Sequence, residues 1–146
     1  MTRKPRCNRE KEIAVPAKIR FLNPDTMTKP AVYSQVAEIT APGRMIFISG
    51  QVGVGRDGKL VSGDFRAQAV QVFENLKAAL AAVGASFAHV VKLNSYIIEA
   101  EHQAILRQVR AQYINTAAPP ASTSLRVVGF ARAGVLLEVE AVAVVD

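Results

Sequence analysis

The sequence predicts an α+β domain in which one mixed β-sheet carries two helices on one face. Two kinds of local pattern lead to this prediction. Apolar residues recur at three- and four-residue steps in two segments, and short β-branched runs between turn residues make up most other apolar stretches. In chain order, these patterns predict the arrangement β-β-α-β-α-β-β. A chain of 146 residues, 50% of them hydrophobic, can bury the core of one such domain.

The first two strands are predicted on either side of a turn that contains proline and glycine. Residues 33–40 can form a strand with one polar side, residues 41–44 form the turn, and residues 45–49 form a second strand. These segments predict an opening hairpin. Residues 21–31 contain two prolines and are predicted to be an irregular approach to it.

Two amphipathic helices are predicted in the middle of the chain. The first carries its apolar residues from Phe65 to Val83, with Asp64 as N-cap and Gly84 as the residue that ends it. The second is predicted over residues 101–114, and a strand over residues 90–98 separates the two helices. The residues of the second helix that are predicted to point inward are Ile105, Leu106, Val109 and Tyr113.

The last two strands are predicted over residues 123–128 and 135–145. The final run is β-branched, almost wholly apolar and too short to span a membrane, so it is predicted to be a buried strand. Glu138 and Glu140 interrupt this run, and both lie on one face because strand side chains alternate. Two like charges on an apolar strand need cations, hydrogen-bond donors or a wet cleft, so the pair indicates a functional site. A partner subunit is expected to cover the sheet face that the helices leave open.

The positive charge of the chain is concentrated at its N-terminus. Residues 1–20 hold seven Lys and Arg against two Glu, so residues 21–146 keep a net charge of only +1 of the total of +6. We interpret residues 1–20 as a basic, flexible leader and residues 21–146 as a single, nearly neutral domain. Such a domain does not favour nucleic acid as a partner.

Composition also bears on the location of the protein. The leader lacks the apolar core of a secretory signal, and no apolar stretch reaches the length of a membrane span. A cytoplasmic protein without a membrane partner is therefore expected. Cys7 is the only cysteine, which excludes an intrachain disulfide and a multi-cysteine metal site within one chain.

Common catalytic motifs are missing from the sequence. His89 and His102 lie at a predicted strand entrance and in the first turn of a predicted helix, where solvated histidines are common, and their spacing suits no metal site. Residues 50–55 contain three glycines without the GxGxxG order, which favours a bent strand over a nucleotide loop. A metal site is therefore not expected.

Five segments of the chain carry a combination of motifs: Ser49-Gly50-Gln51 and residues 73–80, 90–96, 119–123 and 139–144. In this order and spacing they resemble the reactive-intermediate deaminase (RidA/YjgF) family over about residues 20–146. The resemblance implies a chorismate mutase-like fold and a homotrimer that binds a small-molecule ligand in clefts between subunits. It also implies hydrolysis of enamines and imines to a carbonyl compound and ammonia, without a metal or an organic cofactor.

The resemblance also assigns roles to individual residues. It makes Glu138 the carboxylate that holds the attacking water and takes a proton from it. The alternative is a structural Glu138 that pairs across the subunit interface, and Glu140 is interpreted as structural. The residues expected around the ligand are Tyr33, Ser49, Gly50, Tyr96, Ser122 and Thr123.

The sequence departs from the family at Ser122. Deaminating members carry an arginine at this position, and its guanidinium binds the substrate carboxylate through two parallel hydrogen bonds. A hydroxyl cannot replace that charge-assisted pair, in which each hydrogen bond contributes roughly 1.5–3 kcal/mol. Arg126 lies four residues along the same strand, roughly 13 Å away. The sequence thus argues against efficient hydrolysis of imino acids.

Three functions remain open at this point. The leading interpretation is an enamine and imine deaminase that acts weakly, or on substrates that lack a carboxylate. A non-catalytic metabolite-binding or regulatory trimer would use the same cleft without turnover. An endoribonuclease is less favoured because the domain is nearly neutral and offers no plausible histidine pair.

Overall fold

The computed structural model describes residues 18–40, 43–61 and 63–146. The first 17 residues of the predicted leader lie outside these ranges. Within them the chain forms six strands and two α-helices, with a single 3₁₀ turn at Phe87–His89. The elements in chain order are β1 (Lys18–Leu22), β2 (Val36–Thr40), β3 (Arg44–Val52), α1 (Phe65–Ala81), β4 (Val90–Ile97), α2 (His102–Arg110), β5 (Ala121–Arg126) and β6 (Leu137–Val145).

The main sheet has four strands in the order β3-β6-β4-β5. The β3–β6 and β4–β6 pairs are antiparallel, whereas β4 and β5 run parallel. The prediction of an α+β fold with two helices and a mixed sheet is therefore confirmed. The most apolar strand, β6, lies inside the sheet, where both of its edges are hydrogen-bonded.

The predicted opening hairpin is wrong. In the described residues β2 pairs with β1 in a separate two-stranded sheet, and β3 pairs with β6 at the other end of the chain. The physical reason is that apolar β3 finds its most extensive apolar neighbour in β6. β1 also crosses the predicted leader boundary at residue 20, because the basic residues Lys18 and Arg20 alternate with Ile19 and Phe21 in a strand pattern.

Helix α1 follows its sequence pattern closely. The Asp64 carboxylate accepts a hydrogen bond from the Ala67 amide at 2.8 Å, so the predicted N-cap is confirmed. Gly84 has a φ of +74° just beyond the helix, a conformation that glycine adopts without strain. The helix packs against β3, β6 and α2. Its buried face comprises Phe65, Gln68, Ala69, Val72, Phe73, Leu76 and Leu80.

Helix α2 ends at Arg110, earlier than predicted, and the chain then continues through turns past Tyr113. Leu106 and Val109 are buried as expected, but Arg110 is buried beside them. None of the helices in the described residues is long and apolar enough to cross a bilayer.

The two faces of β6 differ as the alternation of its residues predicts. Leu137, Val139 and alternate residues after them lie in the core beneath α1, whereas Glu138 and Glu140 point to the opposite face and are half-buried. We call that opposite side the open face. It also carries Phe47, which is 75% exposed, and the exposed side chains of Met45 and Leu125.

Candidate functional site

Glu140 is the centre of a hydrogen-bonded group on the open face. Asn94 Nδ2 and Tyr96 Oη both donate to its Oε1 atom, at 2.8 and 3.0 Å. These contacts arise because the antiparallel register sets Asn94 opposite Glu140 and Tyr96 opposite Glu138. The hydrogen bond to Glu140, with burial and the charges of both glutamates, raises the pKa of Tyr96 above its ordinary value, so its hydroxyl remains a donor at neutral pH.

Glu138 lies against the backbone of β3. Its carboxylate occupies the space beside Gly50 in which a side chain would project from that residue. The register of β3 on β6 shifts between Ile48 and Gln51, a bulge that brings Gly50 to this point. Within the described residues no group donates a hydrogen bond to the Glu138 carboxylate. The two predicted site residues Gly50 and Glu138 are thus brought into direct contact.

A cavity of about 280 Å³ opens beside Glu140 and Asn94. Ser49 and Glu140 line it together with Lys92, whose Nζ atom donates to the Thr123 hydroxyl at 2.7 Å. The cavity therefore places a cation, an acid and a hydroxyl around a space large enough for a small molecule. Sequence reasoning missed Lys92, although its position two residues before Asn94 on β4 predicts the same face.

Ser122 and Thr123 lie on opposite sides of the sheet. In the parallel register Ser122 is level with buried Leu93, and Thr123 is level with Asn94 on the open face. We predicted from the sequence that both hydroxyls lie in one cleft with Glu138. Within one chain, Thr123 lies on the same face as Glu138 and Ser122 lies on the other face.

Ser122 instead contacts Arg110 of helix α2. Arg110 Nη1 donates to Ser122 Oγ at 3.0 Å, and Nη2 donates to the Val32 carbonyl oxygen at 2.7 Å. The arginine residue is only 8% exposed. Sequence reasoning missed it because arginines are usually surface residues, yet its spacing from Leu106 and Tyr113 puts it on the inward stripe of the helix.

A cavity of about 360 Å³ opens at this arginine, and we call it the arginine pocket. Burial, and to a smaller extent the neighbouring charge of Arg107, lowers the pKa of Arg110. Among the described residues, no acidic side chain lines the cavity. The lining residues include Tyr33, Gln103, Arg107, Arg110, Ser122 and Ser124.

Four other arginines in the described residues donate to acceptors other than Ser122. Arg126, which the sequence places on the same strand as Ser122, is one of them. Arg44 donates to the Val83 carbonyl, Arg66 to Gln108 Oε1, Arg126 to the Ile98 carbonyl and Arg132 to the Gly58 carbonyl.

The two histidines have local structural contacts. His89 Nδ1 accepts a hydrogen bond from the Ser86 amide at 3.0 Å, which completes a capping box. The His102 ring stacks on Phe65 with 4.1 Å between centroids, and its buried Nδ1 atom has no hydrogen-bond partner among the described residues. In the ranges that the structure describes, no three His, Cys, Asp or Glu side chains gather as metal ligands would.

The protein is therefore a small α+β domain with two distinct polar groups. One is formed by the half-buried carboxylates Glu138 and Glu140 on the open face, and the other by the buried guanidinium of Arg110 in the arginine pocket. The chain belongs to the Endoribonuclease L-PSP family, the RidA/YjgF family, whose sequence model matches residues 25–145. The family predicted from the sequence is therefore confirmed.

Individual relatives agree with this assignment. The chain is 40% identical over 113 residues to Protein DfrA of Myxococcus xanthus, covering 77% of this chain and 84% of the relative. It is 30% identical over 120 residues to a 2-iminobutanoate/2-iminopropanoate deaminase of Bos taurus, covering 82% and 86%. A crystal structure of a Rid-family protein from Yersinia pestis matches with a TM-score of 0.77 and 33% identity, covering 87% and 98%.

Proposed function

We propose that this protein hydrolyses imines or enamines to a carbonyl compound and ammonia, in clefts between the subunits of a homotrimer. The observation that carries the proposal is the half-buried Glu138 carboxylate, which lies against Gly50 on an open sheet face. The deaminase name of the Bos taurus relative supports the reaction class.

The division of the predicted residues between two sides of the sheet supports a cleft between subunits. Gly50, Tyr96 and Glu138 belong to the open face, whereas Tyr33 and Ser122 belong to the arginine pocket. One chain does not bring these groups together. A neighbouring copy whose arginine pocket met the open face would enclose all of them around one ligand.

The exposed apolar side chains support the same assembly. Phe47, Met45 and Leu125 are between 52% and 75% exposed, and the strand registers place them on the same face as the polar groups. A patch of this kind is more typical of an interface than of a free surface. Covering it would also exclude bulk water from Glu138, which strengthens the electrostatic interactions of that carboxylate.

The chemistry needs a group that takes a proton from water and delivers a proton to the nitrogen, and one carboxylate can do both. Glu138 would accept a proton from water as the water oxygen bonds to the imine carbon, and would pass that proton to the nitrogen as the C=N double bond becomes a single bond. Glu138 would then take the hydroxyl proton of the carbinolamine and give it to the nitrogen as the C=O bond forms, the C–N bond breaks and ammonia leaves. Tyr96 donates its hydroxyl hydrogen to Glu140 on the same face and would help to position the ligand.

A non-catalytic ligand-binding trimer is the second candidate. Ser122 favours it, because the resemblance expects an arginine at this position and a hydroxyl cannot form the bidentate contact with a substrate carboxylate. The same clefts would then bind a metabolite without turning it over.

The test is ammonia release from freshly generated 2-aminoacrylate and from carboxylate-free imines, with the trapping agent semicarbazide as competitor. Wild-type protein should accelerate hydrolysis, and Glu138→Gln should lower kcat by roughly a hundredfold or more because the base is lost. Glu99→Gln, at an exposed position outside both groups, is the matched control.

Three outcomes separate the candidate functions. Ligand binding without turnover in the wild-type protein would support the non-catalytic trimer. Unchanged turnover in Glu138→Gln would remove Glu138 from the mechanism. RNA cleavage that co-purifies with the protein and disappears when a cleft residue is substituted would support an endoribonuclease instead.

A further inference from the structure

We propose that Arg110 is the residue that binds a ligand carboxylate in the arginine pocket, and that it determines the preference of this protein for ligands that carry a carboxylate. This inference rests on the proposed function and adds a specificity-determining residue to it. It also revises the expectation that the serine removes imino acids from the substrate range.

The position of the guanidinium is the first argument. Arg110 Nη1 lies 3.0 Å from Ser122 Oγ, and both side chains line the arginine pocket. Arg110 comes from α2 and Ser122 from β5, so the guanidinium lies between the helix and the strand at the wall of this cavity. A buried cation therefore faces a space that a ligand can enter.

The second argument is charge without compensation. Arg110 is 8% exposed, and its hydrogen-bond acceptors in the described residues are a hydroxyl and a carbonyl oxygen, both neutral. A buried cation usually has an anionic partner because desolvation is costly. Arg107 lines the same pocket and adds a second positive charge. An anion bound in the pocket would provide the missing compensation.

The third argument is the remaining donor capacity. A guanidinium has five N–H groups, and two of them are used by Ser122 and Val32. The others have no acceptor among the described residues. They can serve a carboxylate in the bidentate manner that arginine favours.

The shape of the pocket defines the kind of anion. Its volume is about 360 Å³, and Tyr33 and Gln103 line it with the arginine. This space suits a small carboxylate. It does not suit a polyanion such as RNA, because the guanidinium is buried inside the protein and does not lie on an extended basic surface. Tyr33, expected near the ligand from the sequence, lines this pocket.

The purely structural alternative is that Arg110 only ties Val32 to β5. Such an arginine would stabilise the segment before β2 without affecting which ligands bind. If Arg110→Gln lowers the affinity for all ligands equally, or for none of them, the structural role is therefore indicated.

The probes are 2-oxobutanoate, a 2-oxo acid that imino-acid hydrolysis can produce, and 2-butanone, which has the same carbon skeleton without the carboxylate. Binding is measured by calorimetry and by NMR titration of the full chain. Wild-type protein should bind 2-oxobutanoate at least tenfold more tightly than 2-butanone, and the preference should fall with added salt. Equal binding of both probes would overturn the inference without any variant.

Arg110→Gln should weaken 2-oxobutanoate by roughly tenfold to a hundredfold and leave 2-butanone unchanged. The control Arg126→Gln removes an exposed arginine of β5 and should change neither affinity. The double variant Arg110→Gln, Ser122→Arg returns a guanidinium to β5 and should restore carboxylate binding. An unfolded Arg110→Gln that the second substitution does not rescue, or a folded one with undiminished selectivity, would count against the inference.

Kinetics separate this inference from the proposed function. If Arg110→Gln loses the preference for carboxylates but the wild-type protein releases no ammonia, the role of Arg110 is supported and the proposed hydrolysis is refuted. Hydrolysis of 2-aminoacrylate with the same KM in wild type and Arg110→Gln would support the hydrolysis and refute the pocket.

Discussion

The carboxylate of Glu138 on β6 occupies the space that a side chain at Gly50 on β3 would need. A methyl group at position 50 would lie 2.6 Å from Glu138 Cδ and 2.9 Å from its Cγ, well inside van der Waals contact. The glycine is thus required by the glutamate and not by its own backbone angles, since the positive-φ glycines of the described residues lie elsewhere. Two residues that are far apart in sequence constrain each other directly.

Gly50→Ala should therefore displace the Glu138 side chain. We expect a loss of about 1–3 kcal/mol in the free energy of unfolding, measured by urea denaturation, together with a loss of any Glu138-dependent turnover. Gly129→Ala is the control, because a methyl group there meets no atom within 4 Å. Shortening residue 138 in the double variant Gly50→Ala, Glu138→Ala should remove the clash and recover part of the lost stability. If the changes in unfolding free energy of the two single variants simply add in the double variant, the contact is contradicted.

The Tyr96–Glu140 hydrogen bond should contribute measurably to stability on the open face. Tyr96→Phe should cost about 1 kcal/mol at pH 7, because the 3.0 Å bond to the carboxylate is lost while the ring remains. A double-mutant cycle with Glu140→Gln measures the coupling between the two side chains. A coupling energy near zero would mean that the bond adds nothing to folding. Tyr33→Phe is a control for the loss of a phenol hydroxyl outside this group.

Tyr113 gives a prediction for alkaline pH. Burial, followed by the 2.9 Å hydrogen bond to Glu74, raises its pKa from 10.0 to about 12. The protonated phenol is therefore favoured in the folded state. Its contribution to stability should be complete below pH 10, the ordinary tyrosine pKa, and should be lost as the pH rises from 10 towards about 12.

Urea denaturation of wild type and Tyr113→Phe across this pH range tests the effect. The phenylalanine variant should be less stable at pH 7 by about 0.5–1.5 kcal/mol, since it keeps the stacking on Phe73 but loses the hydrogen bond. The difference between the two proteins should shrink above pH 10. A gap that stays constant to pH 12 would show that Tyr113 titrates normally.

Phe47 tests the proposed assembly. Its side chain is 75% exposed, so Phe47→Lys should leave the fold of one chain intact while placing a charge in the proposed interface. We expect light scattering to give the mass of three chains for the wild type and a smaller mass for the variant, with unchanged circular dichroism. Val128→Lys, at a fully exposed loop residue, is the control. A wild-type protein with the mass of one chain would exclude the homotrimer.

The local patterns of the sequence predicted most elements because their causes are local. Helix α1, its Asp64 cap and the common face of Glu138 and Glu140 all follow from spacing along a few residues. The alternation of strand residues also predicts that Ser122 and Thr123 point to opposite faces, but our sequence-based prediction placed them together. β1 was missed because its charges were assigned to the leader.

The contacts that define the two site groups could not be read from the chain. Gly50 meets Glu138 because β3 pairs with β6, and no local pattern specifies that partner. Arg110 meets Ser122 because α2 and the parallel strand β5 come together in space.

The amino-acid order alone established the kind of elements, the family and the face on which the glutamates lie, since each depends on periodicity or on motifs within short segments. The tertiary structure decided which strands pair, and it decided that the guanidinium of Arg110 on α2 lies beside Ser122 on β5. Pairing and packing depend on the free energy of burying distant segments against each other, and that energy is distributed over the whole core.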